Sequence, residues 1–140
     1  MAFHYLRLEN HANLPGQIPF APCKALVVVD CDVEDKWQGR VSEWLIDTGC
    51  LVMTAWGRDC CSWDDSVDLA NLQRHDYREI PDASSIMTTW HEDETLAEVM
   101  WFARFAAFHP ITNLENLLVL HIGSIDRSDE FTNVFSSCTQ

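Results

Sequence analysis

The sequence predicts a single three-layer α/β domain with a mainly parallel sheet of four to five strands, Rossmann-like or flavodoxin-like in type. Three observations carry this. Short, continuously apolar runs stand at residues 25–29, 50–55 and 117–122, with a shorter apolar stretch ending in two threonines at 85–89, and a strand that reads apolar without alternation is buried on both faces, as parallel strands are. Between them the pattern changes to helical spacing, so strand, helix and strand alternate along the chain. The 140 residues are 47% hydrophobic and 22% charged, enough to bury a core, and no repeat or shift of composition marks a second domain.

Taken in order, residues 1–23 form an N-terminal strand or arm and loop. An apolar segment at 3–8 reads as an edge strand, and Pro15, Gly16, Pro19 and Pro22 then interrupt regular pairing. The run 25–29 is the first central strand and ends at Asp30 and Asp32. From Asp35, residues Trp37, Val41, Trp44, Leu45 and Thr48 fall on one helical face, and Gly49 is placed for a left-handed stop. The run 50–55 returns to the sheet through a right-handed crossover.

Ser62 and Asp65 have the spacing of a capping box, predicting a second helix through Val67, Ala70 and Asn71. Residues 85–89 make a third central strand, followed by Trp90 and His91. The carboxylates Glu92, Asp93 and Glu94 open a long helix that runs to Phe108, apolar nearly all round and closed by Pro110. The run 117–122 is the last strand. Residues 124–140 form a polar tail in which Phe131, Val134 and Phe135 have the spacing of a short helix.

Twenty-two Asp and Glu against nine Lys and Arg give a formal net charge of -13. That field repels a phosphate backbone and releases no counterions, so nucleic acid is not an expected partner, whereas a basic protein surface is its electrostatic complement. The six cysteines, several inside apolar runs, are expected to be reduced core residues. The N-terminus MAFHYLRLEN lacks the pattern of a secretory leader, and no window approaches the roughly 18 apolar residues of a membrane span. A cytoplasmic location without a membrane partner is the expectation.

Ligands of an open parallel sheet bind beyond the carboxyl ends of its strands. There the sequence places Asp30 and Asp32, then Trp56 with Asp59 and Cys60 beyond it, then Trp90, His91 and Glu92, and finally His121. VVVDCDV, an apolar strand followed by two aspartates at alternate positions, resembles the first motif of haloacid-dehalogenase-type phosphotransferases. The resemblance implies that one carboxylate attacks while the other acts as acid and base beside Mg²⁺. It is confined to these residues: Glu34 stands where that family has Thr or Val, and its lysine and terminal acidic motifs have no counterpart.

Cys60, Cys61, His91 and His121 are suitable zinc ligand types, but adjacent cysteines do not form a chelating loop. No glycine-rich phosphate loop or GxSxG elbow is present. Of the six tryptophans, Trp37, Trp44 and Trp101 fit helix faces and are expected in the core. Trp56, Trp63 and Trp90 lie at strand ends or in loops, where they either anchor an interface or close the top of the sheet.

The runs CLVMTAWG, CSWDDSVD, SIMTTWHEDE, AFHP and NLENLLVLHIG resemble those of an uncharacterised family of small acidic bacterial proteins over most of residues 20–123. That resemblance implies no activity. The leading expectation is a protein-binding module, such as an immunity or accessory protein of a bacterial conflict system, with a surface of Trp56, Trp63, Asp64, Asp65, Trp90, His91 and Glu92 and no cofactor. The alternative is a metal-dependent hydrolase or phosphotransferase using Asp30 and Asp32 as nucleophile, acid/base and Mg²⁺ ligands, with His91 or Asp64 assisting. A homodimer through the helix of residues 96–108 is a further option.

Overall fold

A computed structural model describes all 140 residues. Five strands form one sheet in the order β1-β5-β2-β3-β4, every neighbouring pair parallel: β1 is Ala2–Leu8, β2 Cys23–Val29, β3 Cys50–Gly57, β4 Met87–His91 and β5 Asn116–Ile122. The helices are α1 (Asp35–Asp47), α2 (Cys61–Arg74), α3 (Leu96–Trp101) and α4 (Ser128–Ser137). The parallel sheet and single α/β domain are as the sequence predicts.

Strands β1, β2, β3 and β5 contribute alternate side chains to two cores. Ala25, Val27 and Val29 of β2, with Met53, Ala55, Leu118, Leu120 and Ile122, pack against Trp37, Val41 and Leu45 of α1 and Trp63 and Val67 of α2. Leu26, Val28, Leu117 and Val119 pack on the other face against Val99 and Met100 of α3, Ala103 beyond it, and Phe131 and Phe135 of α4. The chain steps outward from β2 to β3 and β4, then crosses back beneath the sheet to β5 on the far side of β2. The β2–β5 boundary is therefore where connections leave to opposite faces, the switch point of an open sheet.

Local details depart from the sequence reading in four places. Residue 62 does not cap α2: the Ser62 hydroxyl donates back to the Asp59 carbonyl at 2.8 Å, and the helix starts at Cys61. The strand expected at 85–89 lies at Met87–His91, because its register with β3 begins at Val52↔Met87 while the Ser85 carbonyl faces His109 Nε2 at 2.8 Å. The helix expected from Glu92 begins at Leu96, where Thr95 and Glu98 form a reciprocal capping box. It passes after one and a half turns into a π-helical turn, Phe102–Ala106, so Trp101, expected in the core, is 42% exposed and Phe108 is 74% exposed.

Lys24 explains how that π turn ends. Its side chain is buried on β2, and Nζ donates to the carbonyls of Arg104 and Ala107 at 3.1 and 2.9 Å. These are groups that a helix C-terminus leaves unpaired. Burial lowers the Lys24 pKa from 10.5 to about 8.

Candidate functional site

Four side chains from four separate elements meet at the switch point. The Asp30 amide donates to Ile122 O at 2.9 Å, which holds the loop after β2 against the end of β5 and directs the Asp30 carboxylate toward His121. His121 is fully buried, and its Nε2 lies 2.5 Å from Asp30 Oδ2. Its Nδ1 lies 2.8 Å from the hydroxyl of Tyr5 on β1, and that hydroxyl accepts the backbone N–H of Arg127 at 3.0 Å. The Arg127 guanidinium donates to both Asp30 oxygens, at 3.2 and 2.9 Å, and to both Glu130 oxygens, at 3.0 and 2.7 Å.

The Tyr5 hydroxyl accepts from the Arg127 amide, and the His121 ring bridges that hydroxyl and Asp30, with Nδ1 turned to Tyr5 and Nε2 to the carboxylate. Burial pushes the Asp30 pKa up, but the hydrogen bonds from His121 and Arg127 outweigh it and hold the carboxyl below its ordinary value. Burial raises Tyr5, and the bond to Glu130 foremost raises Arg127. Both ionic members, Asp30 and Arg127, therefore stay charged at neutral pH.

The same geometry requires glycine at 123, because a Cβ there would stand 2.9 Å from His121 Nε2 and 3.2 Å from the Asp30 Cβ. Beside the pair opens a cleft of about 430 Å³, lined by Glu9, Asn10, Asp30, Cys31, Gly123, Ser124, Ile125 and Arg127.

Residues 3–138 match the family model described as a domain of unknown function, DUF7684. The chain belongs to this family. Neither a curated protein nor a solved structure matches it.

In this DUF7684 domain the sequence-expected site residues fall into separate places. Asp32 does not join Asp30: its side chain is 90% exposed and its partner is Arg58, at 3.3 Å. His91 lies at the end of β4, two strands from β2, with Nδ1 2.9 Å from Glu94 Oε1, Nε2 3.1 Å from Thr89 Oγ1 and its ring against Phe102. The set Asp30, Asp32 and His91 is thus not one catalytic constellation. No group of three His, Cys, Asp or Glu is arranged to hold a metal ion, and both oxygens of Asp30 are engaged by Arg127, a cation already in place. The donor set does not fit Mg²⁺.

The aromatic and acidic surface assembles in part. Trp63 is 1% exposed and belongs to the core under α2, so it anchors no interface. Trp56 is half-buried, its indole N–H donated to the Glu94 carbonyl at 2.8 Å. Trp90 is 47% exposed on β4, the edge strand, and shares its sheet face with Thr88, whose hydroxyl donates to Asp68 of α2 at 3.1 and 3.2 Å. Burial, and then the charges of Asp64 and Asp65, raise the Asp68 pKa despite that hydrogen bond. Asp59, Asp64, Asp65, Asp68, Glu92 and Asp93 have no Lys, Arg or His side chain within salt-bridge distance.

Sequence reasoning placed Asp30 and His121 at strand ends but not as partners, and it passed over Tyr5, Gly123 and Arg127. The readable signal was a histidine inside a buried strand, LLVLHIG, which requires polar partners. Arg127 carries no local signal in a polar tail.

Proposed function

We propose that this domain is a protein-binding module that receives a basic, extended segment of a partner along the open edge of β4. The observation that carries the reading is Trp90, half exposed on the edge strand β4 and sharing its sheet face with Thr88, whose hydroxyl holds Asp68, a carboxylate without a basic partner. A free edge offers backbone donors and acceptors to an added strand, an aromatic side chain supplies an anchor, and surplus acid selects and steers lysine and arginine. A second copy of the chain would bring the same acids and is disfavoured as the occupant. The proposal extends to an immunity or accessory role in the cytoplasm, whose reducing conditions suit six unpaired thiols.

The test is affinity capture from native extract with wild type, Trp90→Ala and Asp64→Asn/Asp65→Asn as baits, followed by titration of the purified partner. A partner with a Lys- or Arg-rich segment whose affinity falls about tenfold or more in Trp90→Ala, and falls with added salt, supports the reading. A partner bound equally by Trp90→Ala, or no partner that binds when purified, overturns it.

A further inference from the structure

We infer that the partner segment received at the β4 edge is an alternating strand, with Lys or Arg at alternate positions turned toward Asp64 and Asp68 and apolar residues between them turned toward Met87, Phe108 and Ile111. This rests on the binding reading above and adds to it the residue pattern of the partner.

The edge itself is open. β4 is the last strand of the sheet and pairs with β3 alone, and no backbone hydrogen bond from a turn or loop reaches Met87–His91. An extended segment added there would show its side chains alternately to the two faces of the sheet, so the two faces of β4 decide which residues it should carry.

The first face belongs to α2. Asn71 donates to the Ser84 carbonyl and Asp68 accepts from the Thr88 hydroxyl, so α2 runs antiparallel to β4. One helical turn leads from Asp68 back to Asp64, about 6 Å, and two residues lead from Thr88 on to Trp90, about 6.6 Å. Trp90 therefore stands level with Asp64, as Thr88 does with Asp68. The step between these two carboxylates is the repeat of side chains on one face of a strand, and neither has a basic side chain within salt-bridge distance. An arginine at the level of Trp90 would meet the indole face as well as Asp64, adding a cation–π contact to an ion pair.

The second face is apolar at the start of β4. Met87, Thr89 and His91 alternate with Thr88 and Trp90, and on their side His91 rests against Phe102 while Met87 is exposed. Ala107 packs on Val52, the register partner of Met87, and His109 Nε2 lies 2.8 Å from the Ser85 carbonyl. Phe108, between these two anchors, and Ile111, whose amide donates to His109 Nδ1 at 3.1 Å, are thereby held near the start of β4 with their side chains exposed. A wholly basic segment would leave this face bare, and a wholly apolar one would leave Asp64 and Asp68 unpaired. Alternation answers both.

The test is fluorescence anisotropy at about 150 mM salt, near physiological screening, with three labelled, capped peptides of about eight residues, within the usual length of a strand. One alternates arginine and valine, one alternates arginine and serine, and one has the composition of the first with its arginines and valines in two blocks. The arginine–valine peptide should bind about tenfold or more tighter than either control, the gain from covering valine side chains. Phe108→Ser should remove most of its advantage over the arginine–serine peptide, and Asp64→Asn/Asp68→Asn should weaken both alternating peptides about tenfold. None of the three substituted side chains is buried, so the variants retain the fold. Equal affinity for the arginine–valine and arginine–serine peptides, lost in Trp90→Ala, would overturn the pattern and leave the edge reading standing, as would a block peptide bound as tightly as the alternating one. Binding of no peptide, or binding that Trp90→Ala does not weaken, would overturn both.

Discussion

The hydroxyl of Tyr5 and Nδ1 of His121, 116 positions apart in sequence, lie 2.8 Å apart, and this contact fixes the ring orientation that turns His121 Nε2 to Asp30. Tyr5→Phe leaves both His121 Nδ1 and the Arg127 amide without a partner. It should cost about 1–3 kcal/mol of stability, read by urea unfolding, since orphaned buried polar groups carry their full desolvation penalty. A change below about 0.5 kcal/mol would mean that water or a rearranged side chain takes over the hydroxyl's two bonds.

Acid should expose the contribution of Asp30. Its folded pKa lies below its ordinary value, so the unfolded chain binds the proton more readily, and the stability it contributes is present above the ordinary aspartate range near 3.9 and lost as pH falls through the lower folded value. The stability difference between wild type and Asp30→Asn should therefore be level from pH 7 to about 5 and shrink in the acid limb below 4. Parallel curves throughout would show that Asp30 does not titrate between the two states.

Lys24 predicts the opposite limb. Its folded pKa of about 8 lies below the ordinary 10.5, so between these values the unfolded chain holds more protons and stability rises with pH. Set against Lys24→Met, which cannot titrate, the wild type should gain up to about 3 kcal/mol across that window, taking 1.36 kcal/mol per unit. Using the difference between the two proteins removes the contribution of cysteine and tyrosine ionisation at the same pH.

Gly123→Ala places a Cβ 2.9 Å from His121 Nε2. The ring and the Asp30 loop must both give, and a cost of about 1–3 kcal/mol is expected by chemical denaturation, the usual range for overpacking. The Nε2–H resonance of His121 should move with it, because the bond to Asp30 lengthens.

Trp63 and Trp90 separate core from surface. Trp63→Ala should cost about 3–5 kcal/mol, and Trp90→Ala less than about 0.5, measured by the same urea titration. The contrast was available in the sequence. Cys60, Trp63, Val67 and Asn71 recur at three- and four-residue steps, the stripe of a buried helical face, while the polar neighbours of Trp63 in CSWDDS draw attention away from it.

Other features were legible for clear reasons, and some were not legible at all. Val27, Val28 and Val29 announce a strand buried on both faces because burial on both faces leaves no alternation to read. The offset of β4 by two residues depended on His109 engaging Ser85, a contact 24 positions distant, and the π turn on Lys24 reaching Arg104. Asp30 was readable as a strand-end acid, yet its partners Tyr5, His121 and Arg127 come from β1, β5 and the start of α4, so their meeting is a property of strand order that no local pattern encodes.

That strand order also bears on how the chain folds. The unit from β2 through α1, β3, α2 and β4 can form from local crossovers, but β1 has a neighbour only when β5 arrives between it and β2. On a ribosome, where amino-terminal segments emerge first, β1 would wait for more than a hundred residues of synthesis before its pairing edge exists. Completion of the sheet and assembly of the Tyr5–His121–Asp30–Arg127 network are then one late, high-contact-order event.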